Sequence, residues 1–223
     1  MEKNNLKKFY EKIKTGKVKY FFGSKHIYKY LSKNYSSYFN NNNILELGCG
    51  DMSNFSIIKR FKFKKYIAVD WIKFNNLRRF DDRVIFHKKN ILNFVKSKNY
   101  SNYFDLIFTV GTFEHFLNPW KIIRLLKKKI KKNGKIIIAY PNYYNPRGLC
   151  LITLKFLLNL KISLSDKFYF NPFEFKKKLS QMGYSNIKIV SMHHTGSYGE
   201  IALKDLKQRL PKILKNKKKF DKN

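Results

Sequence analysis

One stretch, NILELGCGD at residues 43–51, constrains the fold of this chain more than any other feature. Residues 43–47, apolar except for Asn43 and Glu46, predict a short buried strand, and Gly48 and Gly50 predict a tight turn after it. A helix is predicted to follow over residues 51–60. A strand, a glycine turn and a helix in this order form a nucleotide-type cradle, whose backbone N–H groups face a ligand.

The acidic residues around this turn indicate which ligand the cradle accepts. A second apolar strand at 66–69 ends in Asp70, whose carboxylate can accept both hydroxyls of a ribose. Glu46 and Asp51 would oppose a pyrophosphate, and Ser53 replaces the third glycine of a dinucleotide fingerprint. The site therefore suits a ligand with a ribose, a cationic group and no phosphate, and S-adenosylmethionine has these features.

Four segments resemble the class I S-adenosylmethionine-dependent methyltransferases, especially the small-molecule group with a Leu-Glu-His-like motif after the fourth strand. They are ILELGCGD at 44–51, AVDW at 68–71, FDLIFTVGTFEHF at 104–116 and NPWKIIRLLKKKIKKNGKIIIAYPN at 118–142. The resemblance implies an α/β, Rossmann-like fold with a mostly parallel sheet of six or seven strands between helices. It also implies methyl transfer from S-adenosylmethionine.

The resemblance assigns roles to particular residues. Glu46 would accept from the methionine ammonium, directly or through water, Asp70 would take the ribose, and Trp71 would flank the adenine. Where the family often has an acid for the adenine amino group, Asn90 can still accept through its carbonyl oxygen. The full set of expected cofactor-binding residues is Glu46, Gly48, Gly50, Asp70, Trp71, Asn90, Ile91 and Val110, the last beside the methyl donor.

Glu114 and His115, in the loop after the fourth strand, are the candidate catalytic residues, and two interpretations remain open. His115 can be a general base for an acceptor hydroxyl, because its ordinary pKa lies near neutral pH. Alternatively, the pair only lines the pocket, since methyl transfer often needs mainly proximity and orientation. The pair also resembles part of a metal site in small-RNA 2′-O-methyltransferases. Gly111 and the segment 165–168 lack the other ligands, so no metal is expected.

The net charge of +34 indicates an anionic partner or a compositional bias. Lysine, Asn, Ile, Phe and Tyr are abundant in proteins from AT-rich genomes, yet such a surface also attracts polyanions and anionic lipid. Of the 48 basic residues only 7 are Arg. Nucleic-acid recognition usually favours Arg for its bidentate fork, so a nucleic-acid partner is possible but not favoured.

Three regions are predicted: a helical N-terminal cap at 1–39, a methyltransferase domain at 40–203, and a C-terminal helix with a basic tail at 204–223. Within the domain, a lid insertion at about 143–168 carries an apolar helix at 149–160. This helix either binds an acyl or isoprenoid chain or a membrane surface, or forms a packed lid or dimer contact. The acceptor is predicted to be a small or lipid-linked molecule that is methylated at oxygen, with carbon or nitrogen as the alternative. An RNA methyltransferase and a non-catalytic binding module are the alternatives.

Several further elements follow from periodicity and turn residues. Helices are predicted near residues 6–13, 24–38, 73–79, 118–132 and 169–184, and strands at 84–87, 103–110, 135–140, 185–192 and 195–203. Asn133-Gly134 is predicted to end a helix. The sequence shows no secretory signal and no apolar run of membrane-spanning length, which favours a cytoplasmic protein with peripheral contact to the inner membrane surface.

Overall fold

The structure is a computed structural model that describes residues 25–72, 81–159, 162, 166–192 and 198–217. The chain divides into two compact units, residues 1–140 and 141–223. Among the described residues, the first unit holds all the strands and the second holds helices joined by irregular segments.

The first unit alternates strands and helices. In chain order its elements are α1 Lys25–Asn34, β1 Asn43–Leu47, α2 Phe55–Ile58, β2 Lys65–Asp70, β3 Val84–Lys88, α3 Ile91–Lys96, β4 Phe104–Val110, α4 Pro119–Leu126 and β5 Ile130–Ala139, with 3₁₀ turns at Ser36–Tyr38 and Phe113–His115.

All five strands are parallel, in the order β3-β2-β1-β4-β5. The chain moves outward from β1 through β2 to β3, then returns to the other side of β1 for β4 and β5. The carboxyl ends of β1 and β4 therefore flank a topological switch point, which is where open α/β sheets bind ligands. The predicted Rossmann-like α/β fold is confirmed.

Both faces of the sheet are covered, which explains why the strands are nearly continuous apolar runs. Ile44 of β1 packs with Tyr66 and Phe108 on one face, in a cluster that includes residues of α1 and α2. Leu45 and Leu47 pack on the other face, against residues of α3 and α4. Because side chains alternate along a strand, Glu46 points into the first cluster, and its carboxylate is buried there.

The described part of the second unit contains α5 Pro146–Leu158, α6 Pro172–Gln181 and α7 Gly199–Lys217, with a small apolar core around Leu151 and Ile213. Arg147 at the start of α5 forms an ion pair with Asp205 of α7, at 2.8 Å. One face of α5 is apolar yet exposed, and we call it the α5 stripe; it consists of Leu149, Thr153, Phe156 and Leu157. None of the described helices combines the length and hydropathy that crossing a membrane requires.

The predicted helix at 51–60 is wrong in extent, because α2 spans only Phe55–Ile58. Met52 adopts a positive φ of 56° and buries its side chain, which breaks the helix directly after Asp51. The Asp51 side chain accepts a bond from the Ser53 N–H within this turn instead of capping a helix.

The predicted boundary between the fourth helix and the fifth strand is also wrong. The helix ends at Leu126 and β5 begins at Ile130, because Ile130 pairs with Phe104 and packs on the sheet. Gly134, predicted to end the helix, lies inside β5 at a register shift. A Cβ there would approach Cγ1 of Ile130 at 2.6 Å, so the irregular pairing requires a glycine.

The sixth and seventh predicted strands are not found in the described residues. Residues 185–192 form no strand: Asn186 has a φ of 54°, and Ile189 and Val190 are exposed. Residues 199–203 begin α7 instead. Leu206, Leu210 and Ile213 recur at helical spacing and pack in the small core, and Ala202, one turn earlier, is buried.

Other predicted helices are found with shifted ends. The helix predicted at 24–38 becomes α1 and a 3₁₀ turn, and the one predicted at 169–184 is α6, Pro172–Gln181. The C-terminal helix, predicted from residue 204, is α7, Gly199–Lys217. The helices predicted at 6–13 and 73–79 lie outside the described residues, as do positions 193–197 and 218–223.

Candidate active site

The glycine turn lies at the carboxyl end of β1, beside the switch point of the sheet. Gly48 and Gly50 both have positive φ, 74° and 57°, which residues with a side chain rarely adopt. The Gly48 N–H donates to the carbonyl of Val69 at 2.8 Å, so the turn is held against the end of β2.

Thr112, just after β4, closes the space above this turn. Its hydroxyl lies 3.3 Å from the carbonyl oxygens of Gly48 and Val110. A Cβ built on Gly48 would lie 2.2 Å from Oγ1 of Thr112, well inside van der Waals contact. Gly48 is therefore required both by its backbone conformation and by the approach of Thr112.

Asp70 joins the tip of β2 to the glycine turn. Its Oδ2 accepts from the Gly50 N–H at 2.9 Å, and its Oδ1 accepts from the Ile72 N–H at 3.1 Å. Burial raises the pKa of Asp70, although these backbone bonds lower it in part. Each carboxylate oxygen keeps a further lone pair, so the expected ribose contact is compatible with both bonds.

Glu46 is buried below the turn and accepts two phenolic hydrogen bonds. Tyr28 of α1 donates to Oε1, and Tyr66 of β2 donates to Oε2. Burial raises the pKa of Glu46 to about 7, against the opposing effect of these two bonds. Burial also raises the pKa of both tyrosines, so the phenols remain donors at neutral pH.

Three carboxylates therefore gather at the carboxyl ends of β1 and β2: Glu46, Asp51 and Asp70. In the described part of the chain no Lys, Arg or His forms an ion pair with any of them, although the protein carries a net charge of +34. Such an acceptor set fits the ribose hydroxyls and the ammonium of S-adenosylmethionine and disfavours a phosphate.

The residues expected around the adenine follow β2 and β3. Trp71 comes directly after Asp70 and keeps 36% of its surface exposed. Asn90 caps α3, where its Oδ1 accepts from the Leu92 N–H at 2.9 Å. One lone pair of that oxygen remains for a second donor. Ile91, the first residue of α3, is buried.

The segment after β4 brings the remaining predicted residues to the same edge of the sheet. Val110 ends β4, and its side chain packs in the same cluster as Cys49 of the glycine turn. The 3₁₀ turn Phe113–His115 follows, with Glu114 buried and the His115 side chain 14% exposed. Nε2 of His115 lies 3.9 Å from Oε1 of Glu114, which places an imidazole and a carboxylate close together.

Comparison with known proteins decides the family. The sequence model described as "Methyltransferase domain" matches residues 15–189, more than half of the chain. This chain belongs to the methyltransferase domain family. The predicted membership of the class I S-adenosylmethionine-dependent methyltransferases is thereby confirmed, and S-adenosylmethionine is the cofactor of this class.

Solved structures agree with the fold of this methyltransferase. A SAM-dependent methyltransferase from Archaeoglobus fulgidus is 18% identical, with a TM-score of 0.55 over 85% of this chain and 87% of that chain. The YcgJ protein from Bacillus subtilis is 15% identical, with a TM-score of 0.53 over 70% of this chain and 68% of that chain. At these identities the likeness shows the fold alone. No curated protein sequence matches this methyltransferase significantly.

Sequence reasoning missed three residues of this methyltransferase's site. Tyr28 and Tyr66 bond to Glu46 from 18 and 20 residues away, and Thr112 closes over Gly48 from 64 residues away. Tyr66 carries a weak signal, since it lies two residues before Ala68 and four before Asp70 on the same face of β2. No local pattern indicates Tyr28 or Thr112, because each acts through a contact between distant segments.

Proposed function

We propose that this methyltransferase transfers a methyl group from S-adenosylmethionine to an oxygen atom of a small or lipid-linked acceptor. The observation that carries the cofactor site is the group of three carboxylates beside the glycine turn, without a basic partner among the described residues. The observation that supports an apolar acceptor is the exposed α5 stripe.

In this proposal the chain supplies binding and orientation. Asp70 accepts hydrogen bonds from the ribose hydroxyls, while its hydrogen bond from the Gly50 N–H keeps the glycine turn in place. Glu46 offers negative charge to the ammonium, and Trp71 flanks the adenine with Asn90 and Ile91. S-adenosylmethionine supplies a methyl group on a sulfonium, which is electrophilic without further activation. Close positioning of donor and acceptor can therefore account for much of the rate.

His115 and Glu114 are the residues that can handle the acceptor's proton. An imidazole can remove the proton of a hydroxyl at neutral pH. Glu114, at 3.9 Å from Nε2, would stabilise the imidazolium that results. The other role of this pair is to shape the pocket, and the kinetics of His115 variants distinguish the two.

The α5 stripe supports an acceptor with a lipid part and peripheral contact with an anionic membrane surface. Phe156 and Leu157, adjacent on this stripe, each keep 75% of their surface exposed. Residues 141–223 contain 17 Lys and Arg against 5 Asp and Glu. An exposed apolar helix face on a basic unit suits the interface of an anionic bilayer.

Methyl incorporation from labelled S-adenosylmethionine into separated fractions of a cell extract tests the acceptor class. We expect label in the organic-soluble or small-molecule fraction, and a methoxy carbon in the NMR spectrum of the isolated product. Label only in RNA or protein would contradict the proposal.

Sedimentation with anionic vesicles tests the membrane contact of the α5 stripe. The variant Leu157→Asp should no longer sediment with the vesicles, whereas Leu203→Asp, at an exposed position on α7, should still do so.

RNA is a second candidate acceptor because of one exposed basic patch. The patch runs from α4 into the start of β5 and consists of Lys121, Arg124, Lys127, Lys128, Lys132 and Lys135. Its β5 residues lie at the amino end of the sheet, opposite the glycine turn, so RNA bound there would be held away from the cofactor. Steeply salt-dependent RNA binding, together with methylation of that RNA, would favour this candidate.

A further inference from the structure

The hydroxyl groups of Tyr28 and Tyr66, which both donate to Glu46, have not yet been given a role. A single buried carboxylate receives one phenolic hydrogen bond on each oxygen, from two different elements. Core packing by itself does not require a tyrosine at either position, because Phe would occupy nearly the same volume. The hydroxyls therefore call for an explanation through Glu46.

We propose that Tyr28 and Tyr66 are positioning residues for the cofactor: their hydroxyls orient Glu46 and keep it ionised for the methionine ammonium. The proposal rests on the proposed cofactor site and extends it to α1. Helix α1 then belongs to the cofactor site through Tyr28.

The surroundings of Glu46 explain why such donors are needed. Tyr28 faces it from α1 and Tyr66 from β2, while the Cys49 thiol, Asp51 and Asp70 face it from the glycine turn and the tip of β2. All of these groups are neutral or negative, so burial and the neighbouring carboxylates both favour a protonated Glu46. The two phenolic bonds are the interactions that favour the carboxylate.

Tyr28 and Tyr66 approach Glu46 from different elements, and each donates to a different carboxylate oxygen. The Tyr28 ring packs edge-on to Phe108, with centroids 6.0 Å apart, and the Tyr66 ring packs edge-on to Phe55 at 4.9 Å. Phe108 also packs edge-on to the Tyr66 ring, with centroids 6.3 Å apart, so both rings are fixed by aromatic neighbours and share one of them. Removal of one hydroxyl leaves the other donor in position, so the two single variants should give similar and partial effects.

The proposal is tested by the pH dependence of the affinity for a ligand that carries the ammonium group. An ionised Glu46 attracts an ammonium, so affinity is full above the pKa of Glu46 and falls as the pH decreases below it. Loss of one donor destabilises the carboxylate and raises that pKa. The acid limb of the binding profile therefore moves to higher pH, by about 1 pH unit for one charge-assisted hydrogen bond.

Calorimetric titrations from pH 6 to 8.5 would use two probes, S-adenosylhomocysteine and 5′-methylthioadenosine, which lacks the amino-acid part. For S-adenosylhomocysteine we expect an upward shift of the limb in Tyr28→Phe and in Tyr66→Phe, and no limb in Glu46→Gln. Tyr30→Phe, on the same helix with its ring near Tyr35, is the matched control and should keep the wild-type profile. For 5′-methylthioadenosine the profile should be flat in every variant.

The outcomes separate this proposal from the cofactor assignment. Tight binding of S-adenosylhomocysteine with the same limb in wild type, Tyr28→Phe and Tyr66→Phe would overturn the positioning role and leave the cofactor assignment intact. An equal limb for 5′-methylthioadenosine would also overturn it, because the titrating group would then act elsewhere. Failure of both probes to bind would overturn the cofactor site and this proposal together. Thermal unfolding of each variant verifies that it is folded.

Discussion

The backbone N–H of Gly50 donates to Oδ2 of Asp70 at 2.9 Å, across 20 residues of sequence. The carboxylate expected to bind the ribose therefore also holds the turn expected to contact the rest of the cofactor. The shape of the glycine turn and the recognition of the ribose therefore both depend on the Asp70 side chain, and substitutions of Asp70 should affect both.

Asp70→Ala should lower the affinity for S-adenosylhomocysteine by about 10- to 100-fold, because it removes charge-assisted hydrogen bonds worth roughly 1.5–3 kcal/mol. Asp70→Asn can still accept the Gly50 N–H through its amide oxygen, so it should retain more affinity than the alanine variant. Calorimetry measures both. Asp81→Asn, which removes an exposed carboxylate paired with Arg83, is the control and should bind normally. Unchanged affinity in Asp70→Ala would contradict the assignment.

Gly48→Ala should destabilise the fold by more than roughly 1–3 kcal/mol, since it combines a positive φ with a clash against Thr112. Gly199→Ala is a matched control, because Gly199 has a φ of 66° but open space around its Cβ position. The double variant Gly48→Ala/Thr112→Ala removes the two nearest clashing atoms and should recover part of the loss. Denaturant unfolding measures the loss of stability in each variant. Equal losses in Gly48→Ala and Gly199→Ala would show that the clash with Thr112 adds no destabilisation.

Glu46→Gln should change how stability depends on pH. Glu46 has an ordinary pKa near 4.5 when the chain is unfolded and a pKa of about 7 when folded, so the native state binds the proton more tightly. Its contribution is fully present below pH 4.5 and is lost as the pH rises through 7. Relative to wild type, Glu46→Gln should gain on the order of 2–3 kcal/mol between pH 5 and pH 8. The same comparison with Asp82→Asn, which replaces an exposed carboxylate, is the control.

We expect His115 mainly to shape the pocket, so His115→Asn should lower kcat by less than about 100-fold and leave the pH profile of kcat unchanged. A general base contributes about 10²- to 10⁴-fold, and its loss would remove the acid limb from the profile. Steady-state kinetics from pH 6 to 9 distinguish the two roles. A larger loss with a flattened profile would assign His115 as the base and contradict our expectation.

Features that depend on neighbouring residues were predictable from the sequence. The strand before Gly48, the acid at the tip of β2 and the turn after β4 follow from spacing, and the structure places Asp70, Val110 and the Glu114–His115 pair at one edge of the sheet. The prediction failed where a distant contact overrides local preference. The run from Lys127 to Lys132 resembles a helix, but Ile130 pairs with β4, and Lys129 is buried with its ammonium donating to the Ser97 and Asn99 carbonyls.

The sequence by itself determined the five central strands along the chain, the glycine turn and, through its resemblance to a known family, the class of cofactor. These depend on backbone preferences and on residues a few positions apart. Only the tertiary structure decided that Glu46 lies between two phenols, that Thr112 covers Gly48 and that one face of α5 is left exposed. Such contacts join segments up to 64 residues apart, and their partners are selected by packing across the whole core, which no local pattern encodes.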